Sequence, residues 1–229
     1  MTAHDLAIAA LEARIHYVFT DKALAREALT HASTLDGAPG PSYERLEFLG
    51  DRVLGLIMAE KLLADYAAEG ERGLAPRFNA LVNRGACARA ARRADLGAAL
   101  RLSSSEAAQG GAEKEQILGD ACESVIAALF LDGGLDAARA FVLRFWDGEF
   151  DAVREAPRDP KTILQEWTAA RKRKLTYELV ARTGPEHAPV FVVEARVEGL
   201  PVARGEGRAK REAERAAAAA LIAAANLDD

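Results

Sequence analysis

The chain has 229 residues, half of them apolar, with 30 basic against 35 acidic side chains and a net charge of −5. That is enough for one large or two ordinary globular domains, and no apolar run approaches the roughly 20 residues a membrane-spanning helix needs. The opening Met1-Thr-Ala-His-Asp-Leu6 lacks the basic and then apolar regions of a secretory leader, so a cytoplasmic protein without a membrane partner is expected.

The apolar spacing is helical from the start, near 5–17 and 21–32, and resumes after a loop at 36–41 in a long stretch at 43–68. There Glu44, Glu47 and Asp51 of the run ERLEFLGD fall within about 60° of one helix face. Like charges so placed destabilise a helix. Phe48, Leu54 and Met58 border them, so a solvated acidic face is an incomplete account and a cation is the natural partner. Helical spacing continues at 74–94, then, after a loop at 102–111, at 113–131 and 135–153. The segment 117–131 is apolar almost all round, as in a buried helix, and Asp120 and Glu123 are its only charges. Burying ionised carboxylates uncompensated costs several kcal/mol per group, so they either take up protons or hold a metal. If the two helices pack together, five acids converge, and hard oxygen ligands of this kind suit Mg²⁺ or Mn²⁺. Cys87 and Cys122 are isolated, which sets aside a disulfide framework, and Cys122 reads as a small core hydrophobe. The histidines His4, His16, His31 and His187 show no zinc-ligand spacing.

Mixed charges and two prolines between Asp151 and Pro160 interrupt the periodicity and mark a linker. The net charge divides there: residues 1–152 carry 16 basic and 23 acidic side chains, a balance of −7, and residues 153–229 carry 14 and 12, a balance of +2. The organisation expected is a helical domain at 1–152, a linker at 153–158 and a second domain at 159–227. Asp159 followed by Pro160 starts a helix through about Arg171. Alternation at Leu175–Ala181 and at Phe191–Val197 predicts two strands, and Gly199 and Pro201 a turn into a third near 202–206. A last helix is expected from about Ala209 to Ala225, its inner side nearly all alanine. The fold class is therefore mainly α, an all-helical domain followed by an α-β-β-β-α unit.

The unbroken ERLEFLGD at Glu44–Asp51 and the run ILGDACESVIAALFLDGG at Ile117–Gly134 resemble the two signature helices of bacterial ribonuclease III, an endonuclease of double-stranded RNA. The unit opening DPKTILQE at Asp159–Glu166 resembles the double-stranded RNA-binding domain, and together the likeness covers nearly the whole chain. The resemblance implies that Glu47, Asp120 and Glu123 are metal ligands for Mg²⁺, with Mn²⁺ a substitute. It implies that Asp51, with Glu123, is essential for hydrolysis, and that Glu44 and Glu71 are supporting acids. It further implies products with 5′-phosphate and 3′-hydroxyl ends and roles in ribosomal RNA precursor and mRNA processing. In the second unit it implies minor-groove contacts from Gln165, Glu166 and His187 and phosphate contacts from Lys210 and Arg211, where a helix N-terminus also favours an anion. Duplex RNA is read by shape, 2′-hydroxyls and phosphates rather than base edges. Cutting both strands needs two sites while one chain carries one acid cluster, so a homodimer through the helical domain is expected.

Some positions depart from the family pattern. Pro76, Arg77 and Asn79 replace a more basic segment of many relatives, residues 111–115 are less basic than usual, and Ala209 and Glu214 stand for a common serine and lysine. By themselves, Glu71 reads equally as a solvated loop charge, and Lys210 with Arg211 as a solubilising pair. Trp146 and Trp167 read as packing residues. The competing class is a scaffold that binds duplex RNA without cutting it; such a protein would be expected to have lost one of Glu47, Asp51, Asp120 and Glu123, and none is lost.

Overall fold

The computed structural model describes residues 2–155, 159–185 and 188–227, so linker positions 156–158 and the loop residue His187 lie outside the described residues. The chain separates into two compact units, 1–157 and 158–229.

In the first unit α1 (Ala3–Ile15) starts on a reciprocal cap between Thr2 and Asp5, and α2 (Lys22–Ala28) on the Asp21 carboxylate. The long α3 (Glu44–Asp65) follows, then α4 (Glu71–Leu81), α5 (Arg84–Ala94) and the short α6 (Ser104–Ala108). Helix α7 (Glu115–Phe145) passes through the core, and α8 (Asp147–Ala152) ends the unit. The single helix expected over 74–94 is two. Asn83 adopts extended backbone and its side chain accepts the Ala86 amide at 2.9 Å, which ends one helix and caps the next. The loop expected at 102–111 contains α6, capped by Ser103. The stretches expected at 113–131 and 135–153 are separate as read: inside α7 the backbone leaves helical geometry at Gly134, whose φ of 77° a side chain would resist, and the second stretch breaks again at Trp146 before α8.

The core between α3, α5 and α7 is built of Leu54, Ile57, Met58, Cys87, Cys122, Ile126 and Leu129, all fully buried. Trp146 closes its far end and donates its indole N–H to the Leu81 carbonyl at 2.8 Å, so it packs as expected. Arg77 is buried, stacks on Tyr66 and binds the carbonyls of Gly73, Val153 and Arg154 and the Glu69 carboxylate.

Glu149 on α8 is buried between the guanidinium groups of Arg89 and Arg93 on α5. Burial alone would raise its pKa, but the two guanidinium partners outweigh burial and hold the carboxyl below its usual range. A folded-state pKa below the unfolded one gives stability that is present above the ordinary carboxylate pKa and lost as pH falls through the lowered value. Glu149→Gln is expected to cost about 1–3 kcal/mol at neutral pH, a loss of charged hydrogen bonds. The gap between variant and wild type in urea unfolding should narrow as pH falls below the ordinary carboxylate range.

In the second unit α9 (Pro160–Ala170) and α10 (Lys210–Ala225) cover one face of an antiparallel sheet ordered β1 (Leu175–Thr183), β2 (Val190–Val197), β3 (Ala203–Gly207). Leu175, Tyr177 and Leu179 stand opposite Val197, Ala195 and Val193, with a register shift between Leu179 and Ala181. A Cβ at Gly205 would lie 2.0 Å from the Ala217 amide nitrogen. The sheet and α10 meet backbone to backbone there, which is why the helix presents the fully buried alanines Ala213, Ala217 and Ala218.

Candidate active site

Helices α3 and α7 cross at Gly50. A Cβ built on Gly50 would fall 1.7 Å from the carbonyl oxygen of Glu123, so the two backbones are in direct contact one residue before Asp51. This crossing sets Glu47 and Asp51 against Asp120 and Glu123. None of the four is exposed, whereas Glu44, one turn earlier, is.

The carboxyl groups sit in one another's field. Burial first, then the charges of Asp120 and Glu44, raise the pKa of Glu47, with Arg84 opposing. Burial likewise raises Asp120, against Arg84 and His31. Glu123 is pushed up to about 7, chiefly by burial and then by Asp51, with Glu47 and Asp120 adding. Asp51 pairs at 2.7 Å with Arg52, which lies over the exposed Phe48 ring, and Glu123 accepts a bond from the Cys87 thiol. Glu71 stands apart: it is exposed in the first turn of α4 and contributes to none of these fields.

Among the described residues no group of three or more His, Cys, Asp or Glu side chains stands in metal-holding geometry. The donor set nevertheless fits a divalent cation. It consists of carboxylate oxygens alone on two helices in backbone contact; burial raises the pKa of Glu47, Asp120 and Glu123, with neighbouring acids adding at Glu47 and Glu123, and a doubly charged ion lowers the cost of such buried charge. Sequence reasoning missed three neighbours. Arg84 follows the Asn83 cap and supplies positive charge to Glu47 and Asp120. His31 accepts the Ser33 amide on Nδ1 at 3.1 Å, which leaves Nε2 to carry the proton of the neutral ring. The third is Cys87. None carries a spacing signal, since each reaches the cluster from a different element.

In the second unit a groove of about 580 Å³ between α9 and α10 is lined by Lys161, Gln165, Arg211 and Arg215, with Asp159 and Glu212 at its edge. It brings the expected contacts Gln165 and Arg211 together; Glu166 and Lys210 are exposed on the same two helices. Glu214, at the position of a lysine in many relatives, is paired with Lys161 and so joins α10 to α9.

A helical unit with a buried acid cluster, joined to an αβββα unit, is the architecture of an endoribonuclease carrying its own duplex-RNA-binding domain. A family profile described as Ribonuclease-III-like matches residues 21–147, and one described as Double-stranded RNA binding motif matches residues 160–224. Ribonuclease 3 of Phenylobacterium zucineum (strain HLK1) is 53% identical over 227 residues, covering 97% of this chain and 94% of its own. That of Caulobacter vibrioides (strain NA1000 / CB15N) is 52% identical over 219 residues, covering 94% and 95%. A solved nuclease domain of ribonuclease III from Campylobacter jejuni superposes with a TM-score of 0.59 at 39% identity, covering 63% of this chain and 99% of that one. The chain belongs to the ribonuclease III family and is an endoribonuclease of double-stranded RNA. Among the described residues no helix is long and apolar enough to cross a membrane.

Proposed function

We propose that Glu47, Asp120 and Glu123 hold a divalent cation, Mg²⁺ with Mn²⁺ as a working substitute, and that Asp51 and Glu123 act on the attacking water. The observation that carries this reading is the meeting of four half-buried carboxylates at the Gly50 crossing. When bound, the ion supplies Lewis acidity toward water and neutralises charge at the scissile phosphate. Asp51 accepts the proton of the attacking water. Glu123, whose carboxyl is pushed up to about 7 by burial and Asp51, would be held ionised by a bound cation and so could orient the attacking water as an acceptor. Water adds to phosphorus as the bond to the 3′-oxygen breaks, and the departing oxygen takes a proton from solvent water, which leaves 5′-phosphate and 3′-hydroxyl ends. Glu44 supports the charge of the site from its exposed edge. Glu71 is kept as a supporting acid on family likeness alone.

The domains divide as a nuclease at 1–152, a linker at 153–158 and an RNA-binding domain at 159–227. Gln165, Glu166 and His187 reach the minor groove, and Lys210 and Arg211 the phosphates. Substrates include ribosomal RNA precursors and mRNAs in the cytoplasm, as membership of the family implies. The enzyme works as a homodimer through its helical unit. In support, Phe48, Leu56 and Leu63 are each more than half exposed and lie within about 80° of one face of α3, and the Campylobacter nuclease domain is described as having a region involved in dimer formation. Phe48→Glu is expected to turn a dimer into a monomer in sedimentation at micromolar concentration and to abolish paired cuts.

The test is cleavage of a perfect RNA duplex in Mg²⁺, with an EDTA control. Cleavage of both strands, lost in EDTA and restored by Mg²⁺ or Mn²⁺, supports the reading. A protein that binds the duplex and never cuts it in either ion is the scaffold.

A further inference from the structure

Cys87 lies on α5, beneath the acid cluster, and is fully buried. Its thiol donates to Oε1 of Glu123 with sulfur and oxygen 3.6 Å apart, and among the described residues this is the one side-chain hydrogen bond that Glu123 makes. The thiol has an S–H to give in this buried position, and the Glu123 carboxylate oxygen is the acceptor within its reach. An aliphatic side chain would fill this core position equally well; what sulfur adds is the S–H bond. Glu123 needs such a partner because its neighbours in the cluster are acids that repel it, and a carboxylate on three soft torsions drifts from a geometry that nothing enforces.

We propose that Cys87 is a positioning residue for the cleavage reaction: from α5 it fixes the Glu123 carboxylate through Oε1 and leaves Oε2 to the reaction. This rests on the reading of Glu123 as a working acid of the site. Partners that orient a ligating group from behind are worth about 10–100-fold in activity or metal affinity. The effect belongs to orientation and not to charge, so it falls on kcat and leaves the KM for RNA in place.

The full-length Cys122→Ala enzyme retains Cys87 as its one thiol, so the infrared S–H stretch reports that group alone. The band is expected at the lowered frequency of a hydrogen-bonded thiol and should move to the free position when Glu123→Ala is added. In parallel, Cys87→Ala should lower kcat about tenfold at unchanged KM, and Cys87→Ser, which keeps a donor, should restore most of it. A band that Glu123→Ala does not move, an alanine variant as fast as the wild type, or a serine variant as slow as the alanine one overturns the proposal. The spectrum is independent of turnover. If Glu123 proves dispensable for cleavage while the band still shifts, the catalytic reading has failed and the bond itself stands.

Discussion

A Glu123→Gln enzyme is expected to bind duplex RNA as the wild type does and to cut it at least about 10³-fold more slowly, since losing one charge that stabilises the transition state costs several kcal/mol. Glutamine keeps the shape of the side chain and an oxygen for the Cys87 thiol, so the substitution isolates the charge. RNA affinity should hold because the expected contacts Gln165, Glu166, Lys210 and Arg211 lie on α9 and α10 of the other unit. Stability should change in the opposite direction from activity. The carboxyl has an ordinary value of 4.5 and is pushed up to about 7 by burial and by Asp51. A group raised in this way costs the folded state progressively as pH rises between those two values. In EDTA the glutamine variant should therefore melt above the wild type at about pH 8 and level with it at about pH 4. Single-turnover cleavage, gel-shift titration and thermal melts check the three parts. A variant that cuts within tenfold of wild type would falsify the role given to Glu123.

Gly50→Ala carries the second large effect. In an isolated helix the change is favourable by about 1 kcal/mol, because glycine is a poor helix former. Here the added methyl would sit 1.7 Å from the Glu123 carbonyl oxygen and 2.4 Å from its carbon, with backbone rather than a flexible side chain in the way. Helices α3 and α7 must move apart, and overpacking of this kind costs about 1–3 kcal/mol or more, which exceeds the propensity gain. The same movement carries Glu47 and Asp51 away from Asp120 and Glu123. A misplacement of about 1 Å is enough to lower activity by about 10²-fold. Both a lowered thermal midpoint and a lowered kcat are expected; a variant that melts higher than the wild type would show that the crossing does not depend on glycine.

Much of this molecule was legible before its structure, for reasons that can be stated residue by residue. The four inner acids announce themselves because charge without a compensating cation, inside an apolar helix such as 117–131, is costly enough to need a purpose. The αβββα unit was readable because its spacing switches from the helical repeat to strict alternation after Lys174. The break at Asn83 went the other way because periodicity reports a buried face and not its continuity. An asparagine cap can end a helix without disturbing the apolar repeat. The role of Arg77 was not legible at all, because only the fold gathers four carbonyl and carboxylate partners around its guanidinium. Arg84, His31 and Cys87 depend on how α5 and the 31–35 turn pack beside α3 and α7, which is tertiary information that no local pattern carries.

Arg77 also determines where the tether to the RNA-binding unit begins. By gripping the carbonyls of Val153 and Arg154 from α4, it anchors the chain just past α8, so strain on that segment is borne by a buried arginine and not by the short α8 alone. A fixed starting point shortens the free chain that follows it. Loosening it would let α8 peel away as extra slack, a loss of capture felt at low RNA concentration and not at saturation.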